Sequence, residues 1–391
     1  MWLILRKLSV FADLLECVFC TNFAVDMKTL FDKTTFGHRT LKNRVWRSAT
    51  WTALADAEGN VTDELVSAYE ELAAGGAAVI VTGLTSVVEH DAEIGGGVKF
   101  FASKANKFER YDDRFISGHR RLTDAVHKHG ALVMMQTAIV DGPIDELTTE
   151  QVEDIVRQFG EAAARAERAG YDGVQIHAAH FFYLSKFISP LLNHRTDRYG
   201  GDQRGRSRIL YEILKDMRSK TGPDFLITMK INSTDEYPGR LTTQDFMLTS
   251  RLMADAGIDA IEVSANWTSR TGIKAGENEG YFRAAAMALA AYVDTPVVLV
   301  GGLRSIEKIN QFLNDTKIEY VSLSRPLIRE PNLIRRWQAG DTAPSKCVSC
   351  NSCYRTPGHQ CIFNLKNKQY YGKENQSHVL QWQSAKEQKH R

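Results

Sequence analysis

Between Cys20 and Cys347 the sequence contains no cysteine at all. Its six thiols form two terminal groups, Cys17 and Cys20, then Cys347, Cys350, Cys353 and Cys361. A disulfide framework would staple the body of the chain, so this distribution speaks against one. It fits a reducing compartment, where close thiols more often bind metal, and a cytoplasmic location is expected. Long hydrophobic runs are missing too. Residues 1–26 are apolar but broken by Arg6, Lys7, Asp13 and Glu16, with no small-residue cleavage site. That pattern suits neither a membrane span nor a secretory signal, and the segment is read as an N-terminal extension before a domain start near Met27. Blocks of like charge are absent as well. With 49 Lys and Arg against 47 Asp and Glu, the formal net charge is +2, spread along the chain. No nucleic-acid footprint or polybasic membrane patch results, which leaves a small-molecule substrate as the expected partner.

What is present is alternation. From residue 44 onward, short β-branched or apolar runs at 44–50, 77–83, 131–136, 173–177, 226–231, 260–264, 297–300 and 320–324 are separated by amphipathic stretches such as 62–74, 149–169 and 206–220. Several of these stretches open at Thr or Ser caps and close at Gly170, Gly222 and Gly257. Repeated βα units imply a parallel sheet, and eight of them close a barrel. The predicted fold is α/β, a single (β/α)8 TIM barrel over residues 27–340. A cysteine-rich segment at 341–364 and a polar tail at 365–391 follow. An open doubly wound sheet is the structural alternative, and it does not need eight units.

A barrel places its active site where strands end. The predicted strand ends deliver Ser48, Ala49 and Thr50; Thr82 and Gly83; Gln136; His177 with His180; Lys230; Ser264; Gly301 and Gly302; and Ser324 with Arg325. The run VVLVGGLRS and the run VSLSRPLIREP sit on strands seven and eight, where barrels often bind phosphate. Glycines admit backbone N–H groups close to an oxyanion, and Arg325 offers a planar cationic fork. The bland alternative is a tight turn and a surface arginine. His177 and His180, three apart past a buried strand, suit three readings: paired donors to one developing oxyanion, a structural pair, or metal ligands.

The segment containing them, DGVQIHAAHFFYLSKFISPLLNHRTDRYGG at 172–201, resembles the signature of the Old Yellow Enzyme and NADH:flavin oxidoreductase family. The likeness extends from about Leu30 to Asn364 through NRVWRSAT, AGYDGVQIHAAH, VGGLRS and SRPLIREP. More narrowly, the chain is similar to the barrel half of 2,4-dienoyl-CoA and enoate reductases. The resemblance implies FMN across the barrel mouth. Ala49 and Thr50 would touch the isoalloxazine, Gly83 would leave it room, and Gln136 would bond its pyrimidine edge. Lys230 takes a place usually held by arginine beside N1 and O2. Gly301, Gly302, Ser324 and Arg325 would hold the phosphate. His177 and His180 would bind the electron-withdrawing oxygen of an activated alkene that receives hydride originating from NAD(P)H.

Three departures alter the detail. Phe182 replaces the family tyrosine that donates a proton, leaving Tyr183 one place away as the substitute donor. The loop TAIVDGPIDEL after Gln136 is short and suggests an open pocket. Ser324 replaces a glycine. Finally, Cys347, Cys350, Cys353 and Cys361 have the spacing C-x2-C-x2-C-x7-C, which suits an iron–sulfur cluster or tetrahedral zinc. Relatives with extra redox domains bind a four-iron four-sulfur cluster through a similar run with a longer last gap. The rival to an ene-reductase is therefore an electron-transfer flavoprotein module fed by a redox partner protein. A metal-dependent hydrolase using His177 and His180 is a third reading. Assembly as a homo-oligomer is compatible with all three.

Overall fold

Each strand run is largely apolar, as suits a strand with a barrel interior on one side and helices on the other. The computed structural model describes residues 27–56, 58–88, 106–107, 113–235, 240–266 and 269–365. The N-terminal extension with Cys17 and Cys20, and the polar tail beyond residue 365, lie outside the described residues. In chain order, the elements are β1 (Thr34–Phe36), β2 (Arg39–Leu41), β3 (Val45–Arg47), α1 (Asp63–Ala74), β4 (Val79–Val81), β5 (Thr85–Ser86), β6 (Asn106–Lys107) and α2 (Ile116–His127). There follow β7 (Leu132–Ala138), α3 (Thr149–Arg168), β8 (Gly173–Ala178), α4 (Tyr183–Phe187), α5 (Gln203–Lys220), β9 (Leu226–Asn232) and α6 (Thr243–Asp255). The chain then runs through β10 (Ala260–Ser264), α7 (Arg283–Tyr292), β11 (Val297–Val300), α8 (Ile306–Asp315), β12 (Tyr320–Leu323), α9 (Arg325–Arg329) and α10 (Leu333–Gln338).

Strands β3, β4 and β7 to β12 pair in parallel, and the β3–β12, β3–β4 and β4–β7 ladders close the ring of eight. The barrel predicted from the repeat is the fold observed, and the open sheet is excluded. Short β5 extends the sheet beside the end of β7, with β6 beyond it. One feature escaped the sequence reading: β1 and β2 form an antiparallel hairpin around Gly37, whose φ of +56° suits the turn. Phe36 of that hairpin packs on Trp46 and Tyr320, with ring centroids 5.1 and 5.7 Å away, and so seals the lower end of the barrel.

Helix ends follow local chemistry. Thr62 caps α1, and Thr148 and Thr242 form reciprocal capping boxes with Gln151 and Asp245. Gly170 and Gly257 take positive φ, as expected where a helix turns back toward a strand. Gly222 does not. Helix α5 instead ends at Thr221 in extended conformation, and the Gly222 N–H donates to the Glu167 carboxylate at 3.0 Å.

The interior of the barrel changes character along its axis. Its lower part is an apolar plug of Trp46, Val79, Met134, Leu226, Ala260, Val298 and Tyr320. Above it stand the buried polar side chains of Ser48, Gln136, Gln175, Lys230, Glu262 and Ser322. Burying polar groups without partners is costly, so this upper layer has to be explained by its bonds.

Candidate functional site

The strand register brings these polar groups together. Gln136 lies opposite Gln175, His177 opposite Lys230, and Lys230 opposite Glu262. Glu262, fully enclosed, is the hub. Its carboxylate accepts from Lys230 Nζ at 3.1 Å, Ser48 Oγ at 2.7 Å, Ser322 Oγ at 2.5 Å and Gln175 Nε2 at 2.9 Å. Lys230 Nζ also donates to Ser48 Oγ at 2.8 Å, and Gln136 Nε2 donates to Gln175 Oε1 at 2.8 Å. Burial opposes ionisation of Glu262, but the Lys230 charge and the three neutral donors outweigh it and hold its pKa below the usual value. Glu262 and Gln175 were not singled out in the sequence. They sit inside strands rather than at strand ends, and a Glu inside the run AIEVS was the available signal.

His177 is 3% exposed, and its Nδ1 is buried with no hydrogen-bond partner. Burial, reinforced by the Lys230 charge, lowers its pKa to about 3. The ring is therefore neutral near pH 7, with one donor and one acceptor nitrogen. His180 follows β8 in a turn where it and Phe181 both take positive φ, at 65° and 60°. For a phenylalanine this is an uncommon conformation, and it swings His180 back over the strand ends. There its N–H donates to Asn232 Oδ1 at 3.1 Å, and its Nε2 lies 2.8 Å from Ser264 Oγ. The two imidazoles meet edge to face, 5.0 Å between centroids. They are together but not equivalent, since His180 is bonded to Ser264 while His177 Nδ1 is unpartnered.

Phe182 stands 4.7 Å from the His177 ring. Tyr183 points elsewhere: it is 1% exposed, packs on Phe187 at 5.2 Å, and Arg195 and Glu146 are the charged groups acting on its hydroxyl. Burial pushes its pKa well up. It is the first residue of α4 and is buried there.

Gly83 and Arg325 both make close contacts within the chain. A Cβ on Gly83 would lie 2.8 Å from Thr50 O and 3.0 Å from Trp51 Cα, so the absence of a side chain admits the neighbouring strand end. Its N–H donates to the Tyr69 hydroxyl at 2.6 Å. Arg325, 6% exposed, gives Nη1 to Arg270 O at 2.8 Å and to Asn351 Oδ1 at 2.6 Å, and so reaches toward the cysteine-rich segment. Thr50 Oγ and Ser324 Oγ are 2.8 Å apart, and partly buried Ala49 packs against the apolar plug. Gly301 and Gly302 take φ of 119° and 78°, and the Tyr281 ring occupies the space their Cβ atoms would need. Buried Glu279 braces this turn, accepting from Ser305 N at 3.0 Å, Ser305 Oγ at 2.6 Å and Gly276 N at 2.7 Å.

Cys347, Cys350, Cys353 and Cys361 are all free thiols lining one cleft, with about 320 Å³ of empty space including its open rim. Arg325 and Arg329 line it too. Burial, with Cys347 adding to it and Arg325 opposing, pushes the Cys353 thiol up to about 11. Among the described residues, no three His, Cys, Asp or Glu side chains converge closely enough to hold a single metal ion. Among the described residues, His177 and His180 thus have no third such ligand beside them. No described helix is long and apolar enough to cross a membrane.

Known proteins resemble this chain in sequence and in fold. A metal reductase from Desulforamulus reducens is 30% identical over 87% of this chain and 54% of its own length. A cinnamate reductase from Clostridium sporogenes is 27% identical over 83% of this chain and 55% of its own. The chain thus spans about half the length of these curated relatives. The solved old yellow enzyme homologue from Zymomonas mobilis, 20% identical, superimposes with a TM-score of 0.68 over 88% of this chain and 98% of its own. Residues 29–144 and 139–343 match the family described as NADH:flavin oxidoreductase / NADH oxidase, and the chain belongs to that family.

Proposed function

We propose that this chain is an FMN-dependent oxidoreductase that delivers hydride from NADH or NADPH to an activated alkene. The observation that carries the reading is the buried, unpartnered His177 Nδ1 at the mouth of the polar layer. An orphaned buried polar atom costs on the order of 1–3 kcal/mol, and a ligand oxygen would recover it. The residues that would hold FMN are Gln136 and Lys230, both buried in the polar layer, and the Gly301–Gly302 turn, which the Tyr281 ring covers here. When bound, FMN supplies the two-electron carrier between nicotinamide and acceptor. The chain's own residues do the rest. Lys230 places a cation beside His177, although Glu262 offsets part of that charge. His177 donates to the substrate oxygen on which negative charge develops, and His180, braced by Asn232 and Ser264, lines the same site. Phe182 offers no proton to the α-carbon, so water is left to supply it. The relative named cinnamate reductase supports this substrate class.

A second reading, an electron-transfer module, is favoured by Phe182, by the four-cysteine cleft and by the relative named metal reductase. The cleft suits a multi-atom cluster better than zinc, because one ion requires thiolates converging at about 2.3 Å from it. We propose a four-iron four-sulfur cluster on Cys347, Cys350, Cys353 and Cys361. Anaerobic reduction of the purified protein by NADH, followed by a simple enone, tests the choice. Flavin reoxidation with formation of the saturated ketone supports the first reading. Reoxidation by one-electron acceptors alone supports the second.

A further inference from the structure

We infer, resting on the FMN reading above, that Glu262 is the positioning residue that sets how strongly the reduced flavin donates hydride, by holding and partly neutralising the Lys230 cation. Glu262 stands inside β10, where an apolar side chain would fill the barrel at no electrostatic cost. Its Oε1 accepts from Lys230 Nζ, Ser48 Oγ and Ser322 Oγ, and its Oε2 accepts from Gln175 Nε2. Four bonds fill the acceptor sites of a carboxylate, so Glu262 is not itself a ligand for substrate. It acts through Lys230. Among the described residues, Glu262 is the one carboxylate that pairs with that ammonium, and both side chains are buried. Lys230 carries three N–H groups. Two are engaged, by Ser48 Oγ at 2.8 Å and by Glu262 at 3.1 Å. The third has no partner among the described residues, and Lys230 stands opposite His177 across the β8–β9 ladder. One donor of a fixed cation is thus left for a ligand at the strand ends. Hydride brings two electrons and one proton, so a flavin that accepts it gains one negative charge. Lys230 stabilises that charge, and the Glu262 carboxylate behind it opposes it in a region of low effective dielectric. The carboxylate therefore keeps the reduced flavin less stable and readier to pass its hydride on. A glutamine in the same place keeps the shape and removes the opposition.

The test is an anaerobic spectroscopic titration of the flavin potential in wild-type protein, Glu262→Gln, Glu262→Asp and the double variant Lys230→Met with Glu262→Gln. Bound flavin and circular dichroism are measured on each sample. Glu262→Gln is expected to favour reduction by roughly tenfold to a hundredfold, which is about 30 to 59 mV for two electrons. The double variant, with neither charge, should lie below Glu262→Gln. Stopped flow supplies a second readout, in which Glu262→Gln is reduced faster by NADH and reoxidised more slowly by a simple enone. Opposite changes in the two half-reactions are not what a loosened site produces. An unchanged or lower potential in folded, flavin-loaded Glu262→Gln overturns the inference, and so do half-reactions that slow together. A double variant equal to Glu262→Gln also overturns it, because the effect would not then pass through Lys230. Should Glu262→Gln not fold, Glu262→Asp decides: its shorter side chain draws the carboxylate off Lys230 and should favour reduction by at least about threefold, about 14 mV, whereas no rise refutes the charge account. Wild-type protein that holds no flavin refutes the FMN reading itself, an outcome distinct from all of these.

Discussion

Replacing Lys230 by methionine should reverse the sign with which acidity acts through Glu262 on the barrel's stability. Glu262 is fully enclosed, and Lys230 is the one cation among its four donors, at 3.1 Å; Ser48, Ser322 and Gln175 are neutral. Removing one partner of a buried ion pair typically costs about 3–5 kcal/mol, because the remaining charge stays desolvated. In the wild type the folded pKa of Glu262 lies below its ordinary 4.5. Its contribution is therefore present above pH 4.5 and is lost as pH falls through the lower folded value. In Lys230→Met, burial is no longer outweighed, and the folded pKa rises above 4.5. The variant then loses stability as pH increases beyond 4.5, up to the point where Glu262 stays protonated in the fold. Urea unfolding at a series of pH values between 4 and 8 reads this directly. At pH 7 the variant should be weaker by about 3 kcal/mol or more, and adding Glu262→Gln should restore much of the loss through the coupling of the pair. A variant within 1 kcal/mol of wild type at pH 7, with the same slope against pH, would refute the electrostatic account of the polar layer.

Three other outcomes follow from the same geometry. Phe182→Tyr, beside His177, should accelerate alkene-driven flavin reoxidation, with a ceiling of about 10²–10⁴ for a placed general acid, whereas Tyr183→Phe should leave it unchanged; stopped-flow absorbance compares them. Gly83→Ala should destabilise the fold by about 1–3 kcal/mol, because its methyl group meets the Thr50 carbonyl at 2.8 Å, and a melting curve unchanged from wild type would contradict this. Protonation of His177 is disfavoured in the fold, so between about pH 6.5 and about 3 the unfolded chain binds the extra proton and stability falls with acidification. The slope from this group is about 1.4 kcal/mol per pH unit, and it should vanish in His177→Asn.

The eight strands were legible because parallel strands covered on both faces are largely apolar, and each run ended in, or just before, a glycine or a polar residue. The same logic located His177, Lys230 and Gln136 at the mouth. It failed for Glu262 and Gln175, whose function depends on neighbours brought in from other strands. Where Tyr183 stands depends on the turn at His180 and Phe181, whose two positive φ values decide where the following helix points. No local pattern announces that. Arg325 was placed at its strand end by the sequence, but not its bonds to Asn351 and Arg270. Such contacts between distant segments are set by how residues 345–364 dock, which no period in the sequence encodes. The hairpin at Thr34–Leu41 was missed although its signal, two short runs flanking Gly37, is conventional.

The central claim, that unpartnered His177 awaits a substrate oxygen, is tested most directly by reduced-flavin reoxidation. Wild type and His177→Ala are reduced anaerobically with NADH and mixed with a simple enone in a stopped-flow instrument. Loss of one oxyanion donor predicts that the variant reoxidises about 10²–10³-fold more slowly while still retaining flavin. Equal rates in the two proteins, with the saturated ketone formed in both, would contradict the account.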